Sequence, residues 1–276
     1  MSRCRKLLLV LMAVASTACG GGRKGVDHTS GDHSLTIVAS DTHFEAPDTV
    51  LAGLTTIRLV TQGEEPHQAA LLRISGGKTY TDFLLAIRQP GPPPAWVSVA
   101  GGVNAPKVDG TATVTMPLDA GTYAILSFLP TRDGYPQLVK GLRRELTVSP
   151  SSGAGAAPVA TDTLVATDYA YTNSAVIGAG VHTFLFENRG PQAHEVALFR
   201  LAPGHSAADM IAWIAAQKGS APGEPLGGIY ALPAGAHAWF TVSMTPGDYA
   251  FICFLPDDHD GRPHHAHGQI REFSVK

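Results

Sequence analysis

Hydrophobic and polar positions alternate along much of the chain, in short runs broken by glycine and proline. Ala236 to Met244 is the clearest case. Ala238, Phe240, Val242 and Met244 fall on one face, and His237, Trp239, Thr241 and Ser243 on the other. Period two marks a half-buried strand, because successive side chains point to opposite faces. His182-Thr-Phe184-Leu-Phe186 and Glu195-Val-Ala-Leu-Phe199 are shorter runs rich in β-branched and aromatic residues, and they too predict strands. Pro246-Gly247 turns the chain into Tyr249-Ala-Phe251-Ile-Cys253, where Tyr249, Phe251 and Cys253 share a face. A helical pattern stands out in two places. Thr79-Tyr-Thr-Asp82 precedes Phe83-Leu-Leu-Ala-Ile87, and Ser206-Ala-Ala-Asp209 precedes Met210-Ile-Ala-Trp-Ile214. Each sets a capping hydroxyl three residues ahead of a carboxylate, so one short helix is expected at each, with Phe83 and Trp213 packed into the core.

The two helix signals lie 127 positions apart, and so do other features. Ile37-Val-Ala-Ser-Asp41 returns as Leu164-Val-Ala-Thr-Asp168, and Thr61-Gln-Gly63-x-x-x-His67 returns as Asn188-Arg-Gly190-x-x-x-His194. Tyr123-Ala-Ile-Leu-Ser127-Phe-Leu-Pro130 returns 126 positions later as Tyr249-Ala-Phe-Ile-Cys253-Phe-Leu-Pro256. Two copies in fixed order predict two similar domains. The first is expected over residues 34–149 and the second over 159–276, joined by the Pro/Ser/Gly/Ala stretch 150–158. The copies differ in chemistry. Ser127 becomes Cys253, Gln137 becomes His264, and Leu142 becomes Gln269.

Composition narrows the picture further. The 276 residues give each half room for a core of its own, and 30 Gly with 20 Pro fit many turns between short strands. A net charge of −3 gives no reason to expect nucleic acid as a partner. Arg3, Arg5 and Lys6 precede an apolar run, Leu7 to Ala15, that is too short to span a bilayer. Residues 1–18 therefore read as a signal peptide that directs export. Ser16-Thr-Ala-Cys19-Gly20 looks like a bacterial lipoprotein cleavage site, with Cys19 lipidated and residues 19–33 as a flexible tether. The mature protein would sit in the cell envelope, held to a membrane by that lipid. Cys4 leaves with the signal and Cys19 carries the lipid, so Cys253 is the one thiol left in the folded part. A lone thiol outside the cytoplasm is either buried and inert or bound to a metal.

The second half carries Asn188-x-Gly190-x-x-x-His194, then Gly247-x-Tyr249-x-Phe251-x-Cys253, then Pro263-His264-x-x-x-Gly268-Gln269. This resembles the ligand set of the cupredoxins, the type 1 (blue) copper proteins. The resemblance implies an all-β fold of two tandem Greek-key β-sandwiches, each with a short helical excursion. It implies one type 1 copper held by His194, Cys253 and His264, with Gln269 in the axial place. Two imidazoles and a thiolate with a weak fourth ligand suit copper in both oxidation states. Two departures stand out. The axial residue, usually methionine, is glutamine, as in the plant stellacyanins, which predicts a lower reduction potential. The stretch from Cys253 to His264 is long, so His259, His265 and His267 are rivals for the second imidazole or could collect further metal. The first half keeps only His67, read as a plain turn histidine, and is not expected to hold copper.

The function this implies is electron carriage between redox partner proteins that the sequence does not identify. Tandem cupredoxin domains also build oxidases and nitrite reductases, which place histidine beside the copper cysteine; here the neighbours are Ile252 and Phe254. Copper capture or delivery at the cell surface is the alternative that the histidine-rich loop supports. A metal-free interaction module is the other.

Overall fold

A computed structural model of the chain describes residues 33–89, 91–173 and 176–276. The signal segment, Cys19 and nearly all of the tether lie outside these residues. The first half carries β1 (Ser34–Ala39), β2 (Phe44–Glu45), β3 (Thr49–Leu51), β4 (Gly53–Thr61), β5 (Ala69–Ile74), α1 (Tyr80–Ala86), β6 (Val97–Val103), β7 (Thr111–Leu118), β8 (Gly121–Leu126), α2 (Gln137–Lys140) and β9 (Arg143–Ser149). The second carries β10 (Asp162–Thr167), β11 (Ala170–Asn173), β12 (Gly180–Asn188), β13 (His194–Leu201), α3 (Ala207–Ala216), β14 (Gly223–Leu232), β15 (His237–Met244), β16 (Gly247–Ile252) and β17 (Ile270–Val275). Residues 150–160 between them hold no strand or helix.

Among the described residues the strands form two sheets. One runs β11-β10-β12-β15-β7-β4-β1-β2, the other β17-β16-β13-β14-β6-β5-β8-β9-β3. The fold is thus all-β, as the alternating pattern predicts. In β15 the even-numbered residues Ala238 to Met244 are buried and His237, Thr241 and Ser243 are exposed.

Neither sheet stops where the halves meet. β7 pairs antiparallel with β15 through Thr113↔Thr241, Val114↔Phe240 and Thr115↔Trp239. β6 meets β14 at Val103↔Ile229. An unpaired sheet edge exposes rows of backbone donors and acceptors, and joining edge to edge satisfies them. The sequence reading gave each half its own core. The largest cluster of buried residues instead spans both halves, with Leu35, Ile57 and Val114 joining Phe184, Phe240 and Phe251.

Both predicted helices are present, and both have the reciprocal cap. Thr79 Oγ1 accepts from Asp82 N at 3.1 Å while Asp82 Oδ2 accepts from Thr79 N at 2.9 Å. Ser206 and Asp209 repeat this at 3.2 and 2.8 Å. Each helix covers the outer face of the nine-stranded sheet. Phe83 packs on Leu72, Ile74, Ala124 and Leu126, and Met210 and Trp213 pack on Ala197, Phe199, Leu201 and Ile252. Strand alternation then turns Val196 and Leu198 inward to the main core. With both faces covered, β13 is buried along nearly its whole length. β13 and β16 pair antiparallel with Ala197 opposite Ile252, which brings the first residue of β13 near the residue after β16. Those residues are His194 and Cys253.

Candidate metal centre

His194 enters β13 from a turn that side-chain hydrogen bonds define. Asn188 Nδ2 donates to Gln192 O at 2.8 Å and to Leu232 O at 2.9 Å, and Gly190 N donates to Asn188 Oδ1 at 2.9 Å. Glycine at 190 is a steric requirement. A Cβ there would lie 2.5 Å from His194 Nε2 and 2.7 Å from Asp168 Oδ1. Cys253 continues the inward face of β16 with Tyr249 and Phe251. His264 opens a single 3₁₀ turn, His264–His267, ended by Gly268 at φ 107°. The turn is tied to the cysteine segment: His264 N donates to Leu255 O at 2.9 Å, His265 N to Cys253 O at 2.9 Å, and Cys253 N to Gln269 O at 3.2 Å.

These segments bring three donor atoms together. His194 Nδ1 lies 3.1 Å from His264 Nδ1, and Cys253 Sγ lies 3.3 Å from the same nitrogen. All three ligand atoms fall within 4.8 Å of one another, and His194, Cys253, His264 and Gln269 are each 0% exposed. The tautomer of His194 follows from its other nitrogen. Nε2 lies 2.5 Å from Asp168 Oδ1, so it carries the proton and leaves Nδ1 as a bare lone pair aimed at the cluster.

Two of the clustered side chains carry buried polar atoms without partners. Gln269 Oε1 and Nε2 and His264 Nε2 find no hydrogen-bond partner among the described residues. Burying a primary amide without partners costs roughly 1–3 kcal/mol, which an oxygen donated to a cation would offset. Burial, with the Glu195 carboxyl adding to it, pushes the Cys253 thiol far up, and burial followed by the neighbouring His194 pulls His264 down. The pocket thus favours neutral groups until a cation enters. Soft sulfur with two imidazoles and an amide oxygen is a donor set that fits copper.

The rival histidines lie outside this cluster. His265 packs its ring on Phe254 at 5.3 Å, and burial lowers its pKa. His267 stacks on Tyr169 at 4.7 Å with Nε2 3.2 Å from Asp260 Oδ1, and His259 is exposed. Asp257, Asp260 and His267 approach one another closely. The Asp257 carboxylate, however, already accepts from Tyr169 Oη, Gln192 Nε2, His259 N and Asp260 N. Those bonds hold its pKa far down, the Tyr169 bond most of all, and leave no free lone pair.

Sequence reasoning missed the residues that orient the candidate ligands. Asp168 holds His194. Tyr169 sets its ring edge against His264 at 5.4 Å and donates to Asp257 Oδ2 at 2.5 Å. Gln192 Nε2 links Asp168 and Asp257 at 3.2 and 2.9 Å. Asp168 belongs to the Leu-Val-Ala-Thr-Asp motif that the repeat brought out, but nothing in the motif names its partner.

The first half has the same layout closed by hydrogen bonds. His67 Nδ1 lies 2.9 Å from Gln137 Oε1, which also accepts from Ser127 Oγ at 2.7 Å, and His67 Nε2 lies 3.2 Å from Asp41 Oδ1. Gln137 Nε2 donates to Pro66 O at 3.0 Å, and Leu142 lies in the core. His67 is therefore no plain turn residue. It is fully buried and bonded at both nitrogens.

No protein-family model and no curated protein matches the chain. Solved structures do. A dithionite-reduced auracyanin from the photosynthetic bacterium Roseiflexus castenholzii matches at 17% identity and TM-score 0.31, over 43% of this chain and 98% of its own. A multicopper oxidase matches at 13% identity and TM-score 0.25, over 88% of each chain. The copper nitrite reductase of Nitrosomonas europaea matches at 14% identity and TM-score 0.24, over 88% of this chain and 93% of its own. The chain is an all-β protein of two sheets, as its alternating strand pattern predicts.

Proposed function

We propose that the chain holds one type 1 copper through His194 Nδ1, Cys253 Sγ and His264 Nδ1, with the Gln269 amide as the weak axial donor, and that it carries electrons. The observation behind this reading is the approach of three fully buried donors, with two imidazole Nδ1 atoms 3.1 Å apart around a thiol. Bound copper would supply a one-electron couple. The protein's own part is to fix the donors before the metal arrives. Asp168 sets the His194 tautomer, the 3₁₀ turn sets His264 against Cys253, and Tyr169 and Asp257 cover the His264 edge. A buried, stiff and nearly dry donor set changes little between oxidation states, which suits electron transfer.

A carrier fits the surroundings better than an oxidase. Ile252 packs beneath α3, and Phe254 packs on Phe199 and His265, so neither neighbour of the cysteine offers an imidazole to a second metal. The protein is further proposed to be exported and lipid-anchored through Cys19. Among the described residues no helix is long and apolar enough to cross a membrane.

The test is a titration with Cu(II) read by visible and EPR spectra, beside a Cys253→Ala variant. An intense thiolate-to-copper band in wild type, lost in the variant, is expected. A weak histidine-type signal that the variant leaves unchanged would overturn the type 1 site and leave a surface copper binder.

A further inference from the structure

Asn104 follows β6 in the first half, yet its side chain is buried against the second. Its Nδ2 lies 3.1 Å from Ile229 O, 3.2 Å from Val196 O and 3.3 Å from Glu195 Oε2. Three oxygens around one end of the amide require the NH₂ there, since an oxygen would face only acceptors. The backbone N of Asn104 also donates across the junction, to Gly228 O at 3.0 Å.

Glu195 carries the link onward. Its Oε1 accepts from Phe254 N at 2.8 Å. Glu195 is the residue after His194, and Phe254 the residue after Cys253. A register shift in the β13–β14 ladder between His194 and Val196 accompanies this, and such a bulge re-aims a side chain. One carboxyl therefore spans the two segments that bring the imidazole and the thiol together. A residue of the other half holds that carboxyl's second oxygen.

The arrangement is one-sided. Gly101-Gly-Val-Asn104 has Gly227-Gly-Ile-Tyr230 as its counterpart in the second half. Tyr230 reaches the other way as a ring stacked on Phe128 at 6.0 Å. Gln68, the first-half counterpart of Glu195, keeps a buried Nε2 that finds no partner among the described residues. The polar link across the junction is made toward the half that has the thiol.

We propose that Asn104 is a positioning residue for the copper site, acting through Glu195 from the half that has no site of its own. The proposal rests on the copper reading above. It gives the first half a role: it braces the ligand segments of the second.

The test uses the full chain as wild type, Asn104→Ala and, as a junction control, Lys107→Ala. Lys107 pairs with Glu224 at 3.2 Å on the surface, between the halves and without contact to Glu195. Readouts are the thiolate-to-copper bands, the EPR hyperfine splitting, Cu(II) affinity by chelator competition, and melting of the metal-free protein. Asn104→Ala is expected to bind one copper about tenfold more weakly, with shifted thiolate bands, as removal of outer-shell support does. Lys107→Ala is expected to keep the wild-type spectrum. If Asn104→Ala does not fold, Glu195→Gln reads the same link, because the first half tolerates glutamine at position 68. Unchanged bands and affinity in these variants overturn the proposal, and so do equal shifts in Lys107→Ala. A wild-type chain with no thiolate band overturns the copper reading first and this proposal with it.

Discussion

Asp168 Oδ1 lies 2.5 Å from His194 Nε2. The carboxylate comes from the turn after β10, and the imidazole from the first residue of β13. The bond fixes which nitrogen carries the proton, and so which nitrogen is free to bind. Asp168 Oδ2 also accepts from Gln192, so the acid itself is held in place.

Replacing Asp168 by asparagine keeps an acceptor oxygen but removes the charge that favours the Nε2–H tautomer. Copper affinity should fall about tenfold, with the thiolate band retained. Gly190→Ala should act on the same bond more severely, since its Cβ would crowd both partners at once. Chelator competition on the three proteins checks the order wild type, Asp168→Asn, Gly190→Ala.

Burial pushes the Glu195 carboxyl up to about 7 from an ordinary value of 4.5, against weaker pulls from Phe254 N and Asn104. An acid raised in the folded state holds its proton more tightly folded than unfolded. The stability it contributes is complete below the unfolded value and is lost as pH rises from about 4.5 through about 7. The loss is on the order of 3 kcal/mol for a shift of this size. Metal-free wild type should lose more stability than Glu195→Gln on going from about pH 5 to about pH 8. Parallel melting curves for the two proteins across that range would refute it.

Copper held as proposed would meet an amide oxygen from Gln269, a harder donor than a thioether, which favours Cu(II). Gln269→Met should raise the reduction potential. The side chain is fully buried and its amide unpartnered, so the exchange should not destabilise the metal-free protein. Redox titration and thermal melting report the two effects separately.

The first half lacks ligands and keeps their layout. Ser127 and Gln137 are both 0% exposed; Gln137 meets His67 at hydrogen-bond distance, and Ser127 meets Gln137. Asp41 already holds the far nitrogen of His67, as Asp168 holds that of His194. The double substitution Ser127→Cys and Gln137→His should create a second thiolate-copper site, without an axial donor because Leu142 stays. Copper stoichiometry should double, and the new band should persist when Cys253 is replaced by alanine. Unchanged stoichiometry would mean that the layout does not suffice.

The sequence by itself determined several strands of the second half, the two capped helices and the four candidate ligands. Each of these is local or repeated. Alternation fixes a strand's inward face, a hydroxyl three residues before a carboxylate fixes a helix start, and comparing two copies exposes Cys253, His264 and Gln269 against Ser127, Gln137 and Leu142. Choosing His264 over His259, His265 and His267 was legible only through that comparison. Tertiary structure decided what depends on distance through space. The sheets run across both halves because unpaired edges seek partners, and no residue pattern within one half says which edge is met. Asp168, Tyr169 and Asn104 lie 26, 95 and 90 positions along the chain from the candidate ligands His194, His264 and His194. Their chemistry is ordinary at every one of those positions. Only the approach of β10, β13 and the junction strands makes it part of a site.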